Sequence, residues 1–370
     1  MASIAHVTSA HPRFDTRIFV KMCRTLQASG FQVNLLVADG LGDTVEDNIA
    51  IHDVGISRGR RRRILSAPGR LLTKAIAINA DIYHLHDPEL LPIALELKKL
   101  NKVVIFDSHE DIPLQIRTKS YLSAPLRLAF SLFMRYFQAY SCSRLDGVIA
   151  ATPYIRDKFL HVNPHSIDVN NFPIVEELYS GGSWLQKKSE VCYIGGLERI
   201  RGINELCNAM ALLRTPTRLN LAGKSCTDFF EDQLQTSPGW KRVNPLGFVD
   251  RDGVREVLAR SIAGIVTLHP TPNYLNSLPV KMFEYMCAGI PVIASDFPFW
   301  RSIIKAHNCG ILVDPFKPAQ ISEAIDYLAT HPIQAEEMGR NGHQAITRLY
   351  NWSQEAQRLI HFYKSLFQDP

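Results

Sequence analysis

Short apolar runs rich in β-branched residues alternate along the chain with longer amphipathic stretches. This alternation is typical of parallel strands joined by crossover helices, and it occurs in two series, each sufficient for one doubly wound sheet. In the first series the predicted strands are Ile4–Ser9, Gln32–Ala38, Ile49–Val54, Asp81–His86, Val103–Asp107 and Gly147–Ala151. In the second they are Val191–Gly195, Leu219–Ala222, Val243–Phe248, Gly264–Leu268, Pro291–Ala294 and Gly310–Val313.

A stretch rich in proline, glycine and asparagine separates the two series. We therefore predict an N-terminal domain over residues 1–165, a linker over residues 166–188 and a C-terminal domain over residues 189–350. Residues 351–370 are expected to form a helix, capped at Ser353, that crosses back to the N-terminal domain. Because ligands of such sheets bind at the carboxyl ends of the strands, a cleft between the domains is the expected site.

Composition narrows the class of protein. Of the 370 residues, 46% are hydrophobic and 21% are charged, which excludes large-scale disorder. The net charge of +5 is too small for a dedicated nucleic-acid binder. Seven scattered cysteines without a CxxC pair indicate reduced, buried thiols in a cytosolic protein. No signal peptide or long apolar run is present, so we expect a cytoplasmic protein, with association with the inner face of the membrane left open.

The segment NSLPVKMFEYMCAGIPVIAS, residues 276–295, is the most informative. It is predicted to pass from a loop into a helix at about Pro279 and then, through a Gly-Ile-Pro turn, into a buried strand. Amides at a helix start carry partial positive charge and can hold a diphosphate. Glu284, at least one turn further along, is placed to accept paired hydrogen bonds from a ribose diol.

This segment resembles the retaining glycosyltransferases of family 4, whose motif is Glu, seven residues, Glu, and then G-x-P-V-I-A-S. The resemblance implies that Glu284 contacts the ribose of the donor nucleotide. Asn276 stands in register with the first Glu of the motif and is assigned to the transferred sugar as a catalytic residue. Ser277, Leu278 and Lys281 are assigned to donor binding, with Lys281 supplementing the contact to phosphate.

A second match is YIGGLERIRG, residues 193–202, which is a strand ending in a glycine turn before a helix. Glycines let the backbone approach a ligand closely, and nearby cations neutralise a leaving diphosphate. The family has G-R, several residues, and then K-G here, so Arg201 takes the Lys position and Gly196 the Arg position. We assign Gly195, Gly196, Arg199 and Arg201 to donor binding, with Arg201 also catalytic and Arg199 compensating for the missing Arg.

Two histidine segments end strands of the first series. FDSHED, residues 106–111, contains His109, which the resemblance assigns to the donor sugar as a catalytic residue, with a structural histidine as the alternative. The HLHD stretch resembles the H-x-H-D segment of the family, and His86 and Asp87 are assigned to acceptor binding. His84 and His86 share one side of the strand and with Asp87 could imitate a metal site. No third distant ligand is evident, and we predict no metal.

HPRFDTRI, residues 11–18, follows the first strand where much of the family has a Gly-Gly loop. It resembles a branch found among polysaccharide and O-antigen assembly enzymes. Arg13, Asp15 and Arg17 are assigned to acceptor or phosphate groups, and capping and bracing of the following helix is the equal alternative.

Further segments offer weaker signals. Donor-base contacts are assigned to Gly223, Lys224, Phe248 and Val249, and the D-x-D of Asp250-Arg-Asp252 is interpreted as a helix cap rather than a metal motif. The stretch Ala124–Tyr140 carries aromatics at helical spacing, which favours core packing. The alternative is contact with an anionic membrane, assisted by the arginines of residues 58–63.

The resemblance covers nearly the whole chain and implies a GT-B fold, in which two Rossmann-like domains face a central cleft and the C-terminal helices pack back toward the N-domain. It implies retaining transfer from a UDP- or GDP-sugar to an acceptor hydroxyl, with no cofactor or obligatory metal. The expected acceptor is a lipid-linked saccharide of bacterial surface polysaccharide, and no nucleic-acid partner is expected. Two alternatives stay open, a nucleotide-sugar 2-epimerase of the same fold and a nonenzymatic nucleotide-sugar binder.

Overall fold

The computed structural model describes residues 2–57, 59–119, 122–179, 181, 184–225 and 227–366. The chain divides into two compact α/β units. Unit 1 comprises Met1–Asn171 together with Glu355–Pro370, and unit 2 comprises Phe172–Gln354.

Unit 1 is built on an eight-stranded sheet. Its strands are β1 (Ser3–Val7), β2 (Gln32–Val37), β3 (Thr44–Glu46), β4 (Ile49–Asp53), β5 (Ile82–Leu85), β6 (Val103–Ser108), β7 (Gly147–Ala150) and β8 (Ser166–Asp168). Their order across the sheet is β3-β4-β2-β1-β5-β6-β7-β8, and all neighbours are parallel except β3 and β4. The helices are α1 (Arg24–Ala28), which continues a π-helical segment at Thr16–Cys23, α2 (Arg60–Ile78), α3 (Leu91–Lys99), α4 (Ile112–Arg117), α5 (Ala124–Cys142) and α6 (Pro153–Leu160).

Unit 2 contains a six-stranded parallel sheet with the order β11-β10-β9-β12-β13-β14. The strands are β9 (Glu190–Ile194), β10 (Arg218–Ala222), β11 (Val243–Gly247), β12 (Ala263–Val266), β13 (Val292–Ser295) and β14 (Gly310–Val313). The helices are α7 (Val175–Leu178), α8 (Ile203–Leu212), α9 (Asp228–Gln235), α10 (Arg251–Arg260), α11 (Val280–Cys287), α12 (Pro298–His307), α13 (Pro318–Thr330) and α14 (Pro332–Arg348), and α15 (Trp352–Ser365) follows.

All twelve predicted strands are present with bounds that differ by two residues or fewer, and two further short strands were missed. β3 forms a hairpin with β4 through Asp47 and Asn48, whose φ angles of 50° and 59° suit a tight hairpin turn. β8 pairs with β7, so the interval assigned to the linker begins with a strand of the first sheet. Three residues are too few to produce a readable alternation of apolar and polar positions, which explains both omissions.

The strands of both sheets are largely buried because helices cover both faces, as parallel sheets require. In unit 2 one hydrophobic cluster includes Phe283 and Trp300, and a second includes Ile203 and Ile325. Unit 1 has a cluster that includes Tyr83 and Phe106. Among the described helices, none has the length and apolar character that a membrane span requires.

Each sheet changes its winding direction next to its first strand. β1 lies between β2 and β5, and β9 lies between β10 and β12. The connections from these strands leave on opposite sides, which opens a crevice at their carboxyl ends where ligands of such folds bind. The residues that follow β1, β5, β9 and β12 therefore line these crevices.

Three predictions need correction or completion. In α5 the aromatic side chains of Phe130, Phe133 and Tyr140 are exposed, so the core interpretation is wrong for them and holds only for Phe137. The cap of α15 is Asn351, whose Oδ1 accepts a hydrogen bond from the Gln354 amide, and not Ser353. Of the seven cysteines, the six that the structure describes are buried and form no disulfide, and Cys226 lies outside the described residues.

Candidate functional site

The side chain of Lys281, on the first turn of α11, lies at the carboxyl end of β9. Its Nζ donates a hydrogen bond to the Tyr193 hydroxyl at 3.1 Å and lies 4.6 Å from the centre of that ring. A Cβ atom on Gly195 would fall 2.2 Å from Cε of Lys281. A side chain at position 195 would push Lys281 out of this place, and the φ angle of +141° also favours glycine there, which explains a glycine turn at the end of β9.

Two more glycines permit close backbone approach in the same place. Gly202 has φ +72°, and a Cβ there would lie 2.0 Å from the carbonyl oxygen of Thr267. Gly223 has φ +148°, and a Cβ there would lie 1.8 Å from the carbonyl oxygen of Gly195. The loops after β9, β10 and β12 are thus packed backbone to backbone, an arrangement that side chains would prevent.

Arg201 ends the 3₁₀ turn Arg199–Arg201 and adds a second cation beside Lys281. Its nearest carboxylate oxygen contact is Glu198 Oε1 at 3.8 Å, and its buried Nε has no hydrogen-bond partner among the described residues. Burial, and next the charge of Arg201, lowers the pKa of Lys281 to about 7. Two adjacent cations with so little carboxylate compensation form a site suited to an anion.

Glu284 lies on α11, one turn beyond Lys281, and is held by an arginine that sequence reasoning did not assign. Arg251 donates to Glu284 Oε1 at 2.7 Å and to Glu177 Oε2 at 2.7 Å. Arg251 belongs to the D-x-D segment, whose Asp250 caps α10 by accepting from the Gly253 amide at 2.9 Å, as predicted. Nothing in the local sequence around Arg251, the first residue of α10, indicates that its partner is Glu284, 33 residues further along the chain.

Residues assigned to the base lie at the ends of β10 and β11. Lys224 places Nζ 5.2 Å from the ring centre of Phe248, whose side chain is 72% exposed. Val249 is half-buried against the cluster that contains Phe283, and Arg199 and Gly196 lie in the neighbouring turn after β9. An exposed aromatic face beside a cation can stack on a planar ring.

The loop from Thr267 to Pro279 contains polar atoms without partners. Among the described residues, Thr267 Oγ1, Thr271 Oγ1 and Asn273 Oδ1 are buried and have no hydrogen-bond partner. Sequence reasoning missed all three, although their position before the motif helix was a usable signal. Three residues of this loop were assigned, and the structure places them as follows: Asn276 and Leu278 are half-buried, and the Ser277 carbonyl accepts from Trp300 Nε1 at 2.8 Å.

In unit 1, the side chain of Asp107, at the end of β6, contacts histidines from both of the predicted histidine segments. Arg17 donates to both of its carboxylate oxygens, at 3.0 and 2.7 Å, and His109 Nε2 and His86 Nδ1 lie 2.8 and 3.1 Å from Oδ2. Burial by itself would raise the pKa of Asp107, but Arg17 and the histidine contacts outweigh it and hold that pKa well below its usual range. His109 and His86, which the sequence assigned to the donor sugar and to the acceptor, are therefore brought together at Asp107, and those two roles stay predictions.

The remaining acceptor candidates have partners within unit 1. Arg13 donates to both oxygens of Asp39, at 2.8 and 2.7 Å. Asp15 caps the helical segment by accepting from the Arg17 and Ile18 amides, and Asp87 accepts from Thr8 Oγ1 and the Ser9 amide. This geometry favours the bracing alternative for Arg13, Asp15 and Arg17, and their acceptor roles stay a prediction.

The reason for excluding a metal also needs correction, because the fold supplies a third histidine. His6 on β1 joins His84 and His86, and a second group combines His86, Asp107 and His109. Both groups depend on His86, yet its Nε2 lies 2.9 Å from His6 Nδ1 and its Nδ1 lies 3.1 Å from Asp107. A metal at either group would have to displace one of these hydrogen bonds, and the predicted absence of a metal stays a prediction.

Comparisons with known proteins identify the family of the chain. Residues 16–170 match the family described as Glycosyltransferase Family 4, and residues 180–345 match Glycosyl transferases group 1. The D-rhamnosyltransferase WbpZ of Pseudomonas aeruginosa is 25% identical over 295 residues, which cover 75% of this chain and 71% of that protein.

Solved structures share the fold over the whole chain. Sucrose-phosphate synthase from Thermosynechococcus elongatus superposes with a TM-score of 0.81 at 18% identity, covering 100% of both chains. Anabaena HepE in complex with UDP-glucose superposes with a TM-score of 0.76 at 13% identity, covering 99% of this chain and 100% of the other. At these identities the likeness establishes the fold, while the two family matches establish that the chain is a glycosyltransferase. The chain is a GT-B glycosyltransferase of the family 4 type.

Proposed function

We propose that the enzyme transfers a sugar from a UDP- or GDP-sugar to an acceptor hydroxyl with retention of configuration and without an obligatory metal. The observation that carries the donor proposal is the pair of cations, Arg201 and Lys281, at the end of β9. A diphosphate supplies the negative charge that this pair lacks. The Met282 amide already donates to the Pro279 carbonyl at 3.0 Å, but the amides of Val280 and Lys281, at the start of α11, add donors that no helical carbonyl satisfies. That HepE was crystallised with UDP-glucose supports the same choice of ligand class.

The nucleoside would occupy the ends of β10 and β11. Glu284, held by Arg251, has a second carboxylate oxygen with which to accept from a ribose diol. Phe248 offers its exposed ring to the base, and Lys224 Nζ lies 5.2 Å from the centre of that ring. The unpartnered oxygens of Thr271 and Asn273, together with Asn276, would contact the hydroxyls of the sugar.

The chemical step is inferred from the resemblance to family 4. The acceptor oxygen forms a bond to the anomeric carbon on the face from which the diphosphate leaves, the bond from that carbon to the diphosphate oxygen breaks, and the acceptor proton passes to the diphosphate. Arg201 and Lys281 stabilise the charge that develops on the leaving group. Retention is inferred from the resemblance to family 4, and the mechanism needs no pair of carboxylates of the glycosidase kind.

A panel of nucleotide sugars tests the donor proposal. We expect one UDP- or GDP-sugar to raise the unfolding midpoint in the presence of a chelator, because a ligand of the native state at a hundred times its Kd adds about 2.7 kcal/mol. Arg201→Ala is expected to remove the effect, whereas Arg218→Ala, an exposed arginine at the opposite end of β10, should keep it. Stabilisation that requires a divalent metal, or equal stabilisation of both variants, would contradict the proposal.

The acceptor is proposed to be a lipid-linked saccharide of bacterial surface polysaccharide, approached at a membrane surface. The outer face of α5 supports this, because Phe133 and Tyr136 are 60% and 64% exposed and Arg127 and Arg135 lie on the same helix. An amphipathic helix with exposed aromatics and cations suits the interface of an anionic membrane. In the arginine cluster at residues 58–63, Arg58 and the side chain of Arg60 lie outside the part of the chain that the structure describes. Arg63 forms an ion pair with Glu89 at 3.1 Å.

Sedimentation with vesicles tests the membrane proposal. The chain is expected to bind vesicles that contain phosphatidylglycerol and not vesicles of phosphatidylcholine alone. The double variant Phe133→Asp and Tyr136→Asp should lose most of this binding, since both side chains would have to enter the interface. Ile333→Asp, at a position that is 75% exposed on unit 2, is the matched control and should bind normally. Equal binding by the double variant and the control would refute the assignment.

A further inference from the structure

Asp107 is a fully buried carboxylate that accepts from more donors than an ordinary ion pair provides. Its Oδ1 accepts from one guanidinium nitrogen of Arg17 at 2.7 Å. Its Oδ2 accepts from Arg17 Nε at 3.0 Å and faces His109 Nε2 at 2.8 Å and His86 Nδ1 at 3.1 Å. Arg17 is anchored in turn by a hydrogen bond of 2.7 Å to the carbonyl oxygen of Val169. The orientation of the Asp107 carboxylate is therefore fixed by Arg17 and by the two histidines.

An ionised carboxylate accepts hydrogen bonds and donates none, so each nitrogen that faces Asp107 carries a proton. His109 is thereby protonated at Nε2, and His86 at Nδ1. His86 Nε2 then accepts from His6 Nδ1, which lies 2.9 Å away. The contact of 3.3 Å between His86 Nδ1 and His109 Nε2 joins two donors that share one acceptor, and it is not a hydrogen bond of its own.

This protonation leaves Nδ1 of His109 with a lone pair whenever the ring is neutral. Among the described residues, that atom has no hydrogen-bond partner. His109 lines a cavity of about 260 Å³ at the carboxyl ends of β5 and β6, together with His11, Asp87 and Glu110. The ring of His11 lies 4.9 Å from that of His109. A half-open cavity lined by histidine and carboxylate side chains, next to an unused acceptor atom, suits a ligand with a hydroxyl donor.

We propose that Asp107 and Arg17 are positioning residues that hold His109 as the Nε2–H tautomer, so that its Nδ1 accepts a hydrogen bond from a substrate sugar hydroxyl in this cavity. The bidentate contact from Arg17 prevents the carboxylate from rotating, and the carboxylate prevents the ring from flipping. Sequence reasoning assigned Arg17 to the acceptor and gave Asp107 no role. The geometry assigns both an indirect role in the transfer reaction, and this role does not depend on which nucleotide the donor carries.

Nitrogen NMR on the full chain labelled with ¹⁵N-histidine tests the tautomer directly. The His109 signals are identified by their loss in His109→Gln. In the wild type at alkaline pH, we expect one neutral form with the proton on Nε2 and none on Nδ1. A proton on Nδ1, or a mixture of both tautomers, would overturn the proposal, and this measurement needs neither a variant of the buried pair nor a known substrate.

Variants test whether the tautomer matters for transfer. Asp107→Asn and Arg17→Lys are each expected to give a mixture of His109 tautomers. Each should also lower kcat on the order of tenfold while the KM for the donor stays nearly constant. The donor is UDP-glucose or the nucleotide sugar selected by the thermal-shift panel. Arg156→Lys changes another arginine and aspartate pair of unit 1, with Asp168, and should alter neither readout. Mixed tautomers with an unchanged kcat would show that Asp107 and Arg17 stabilise the structure but do not contribute to transfer, which would overturn the proposal. If the buried variants fail to fold, the wild-type spectrum still decides the tautomer.

Discussion

The affinity for UDP-glucose is expected to fall about tenfold for each pH unit above about pH 7, until the pKa of Lys281 in the complex is reached. Burial and the neighbouring Arg201 lower the pKa of Lys281 to about 7 in the free enzyme. An arriving diphosphate favours the charged form and raises that pKa, so binding above pH 7 requires uptake of a proton. Below pH 7 the lysine is already charged, and affinity should be flat. Calorimetry in buffers of different ionisation enthalpy measures the proton uptake.

Two substitutions isolate this effect. Glu284 and Glu198 also face Lys281 and raise its pKa, and Tyr193 accepts its hydrogen bond, but all three remain in both variants. Lys281→Met removes a charge-assisted hydrogen bond and should weaken binding about 10- to 100-fold at every pH, without proton uptake. Lys281→Arg keeps the charge at all pH values and should lose the pH dependence. A wild-type profile that matches Lys281→Met would contradict the role of this lysine.

Gly223→Ala is expected to destabilise unit 2 by about 3 kcal/mol or more and to abolish donor binding. The φ angle of Gly223 is +148°, and the added Cβ would lie 1.8 Å from the carbonyl oxygen of Gly195, a backbone atom that no side-chain rotation can move away. Relief of this overlap must displace the turn that makes room for Lys281. All four tryptophans lie between Phe172 and Gln354, so denaturant unfolding followed by tryptophan fluorescence reports on unit 2.

Gly247→Ala is the matched control at the end of the adjacent strand. Gly247 also has a positive φ, +62°, but an added Cβ meets nothing within 4 Å. Its substitution should cost about 1 kcal/mol, which is the usual penalty of the left-handed conformation alone. Equal losses of stability in the two variants would mean that crowding against Gly195 contributes nothing, and the account of close backbone packing would have to be abandoned.

The exposed face of α5 illustrates where a local pattern is insufficient. Phe130, Phe133 and Phe137 have the spacing of an apolar helical stripe, and spacing of this kind most often indicates core. In the structure only Phe137 packs into the core of unit 1, while Phe130 and Phe133 are exposed. Periodicity reports that a helix has an apolar side, but not whether another element covers that side.

The sequence alone determined the two series of strands, the order of the elements and the motif segments that follow β6, β9 and β12, because these depend on local periodicity and on residue types at short spacing. Only the tertiary structure decided which side chains became partners. Arg17 meets Asp107 across 90 residues, and Lys281 meets Tyr193 across 88. Such pairs form because crossover connections bring the carboxyl ends of distant strands to one edge of the sheet. A charged side chain that is buried there without a partner costs free energy, so the fold is stable only where a suitable partner lies next to it.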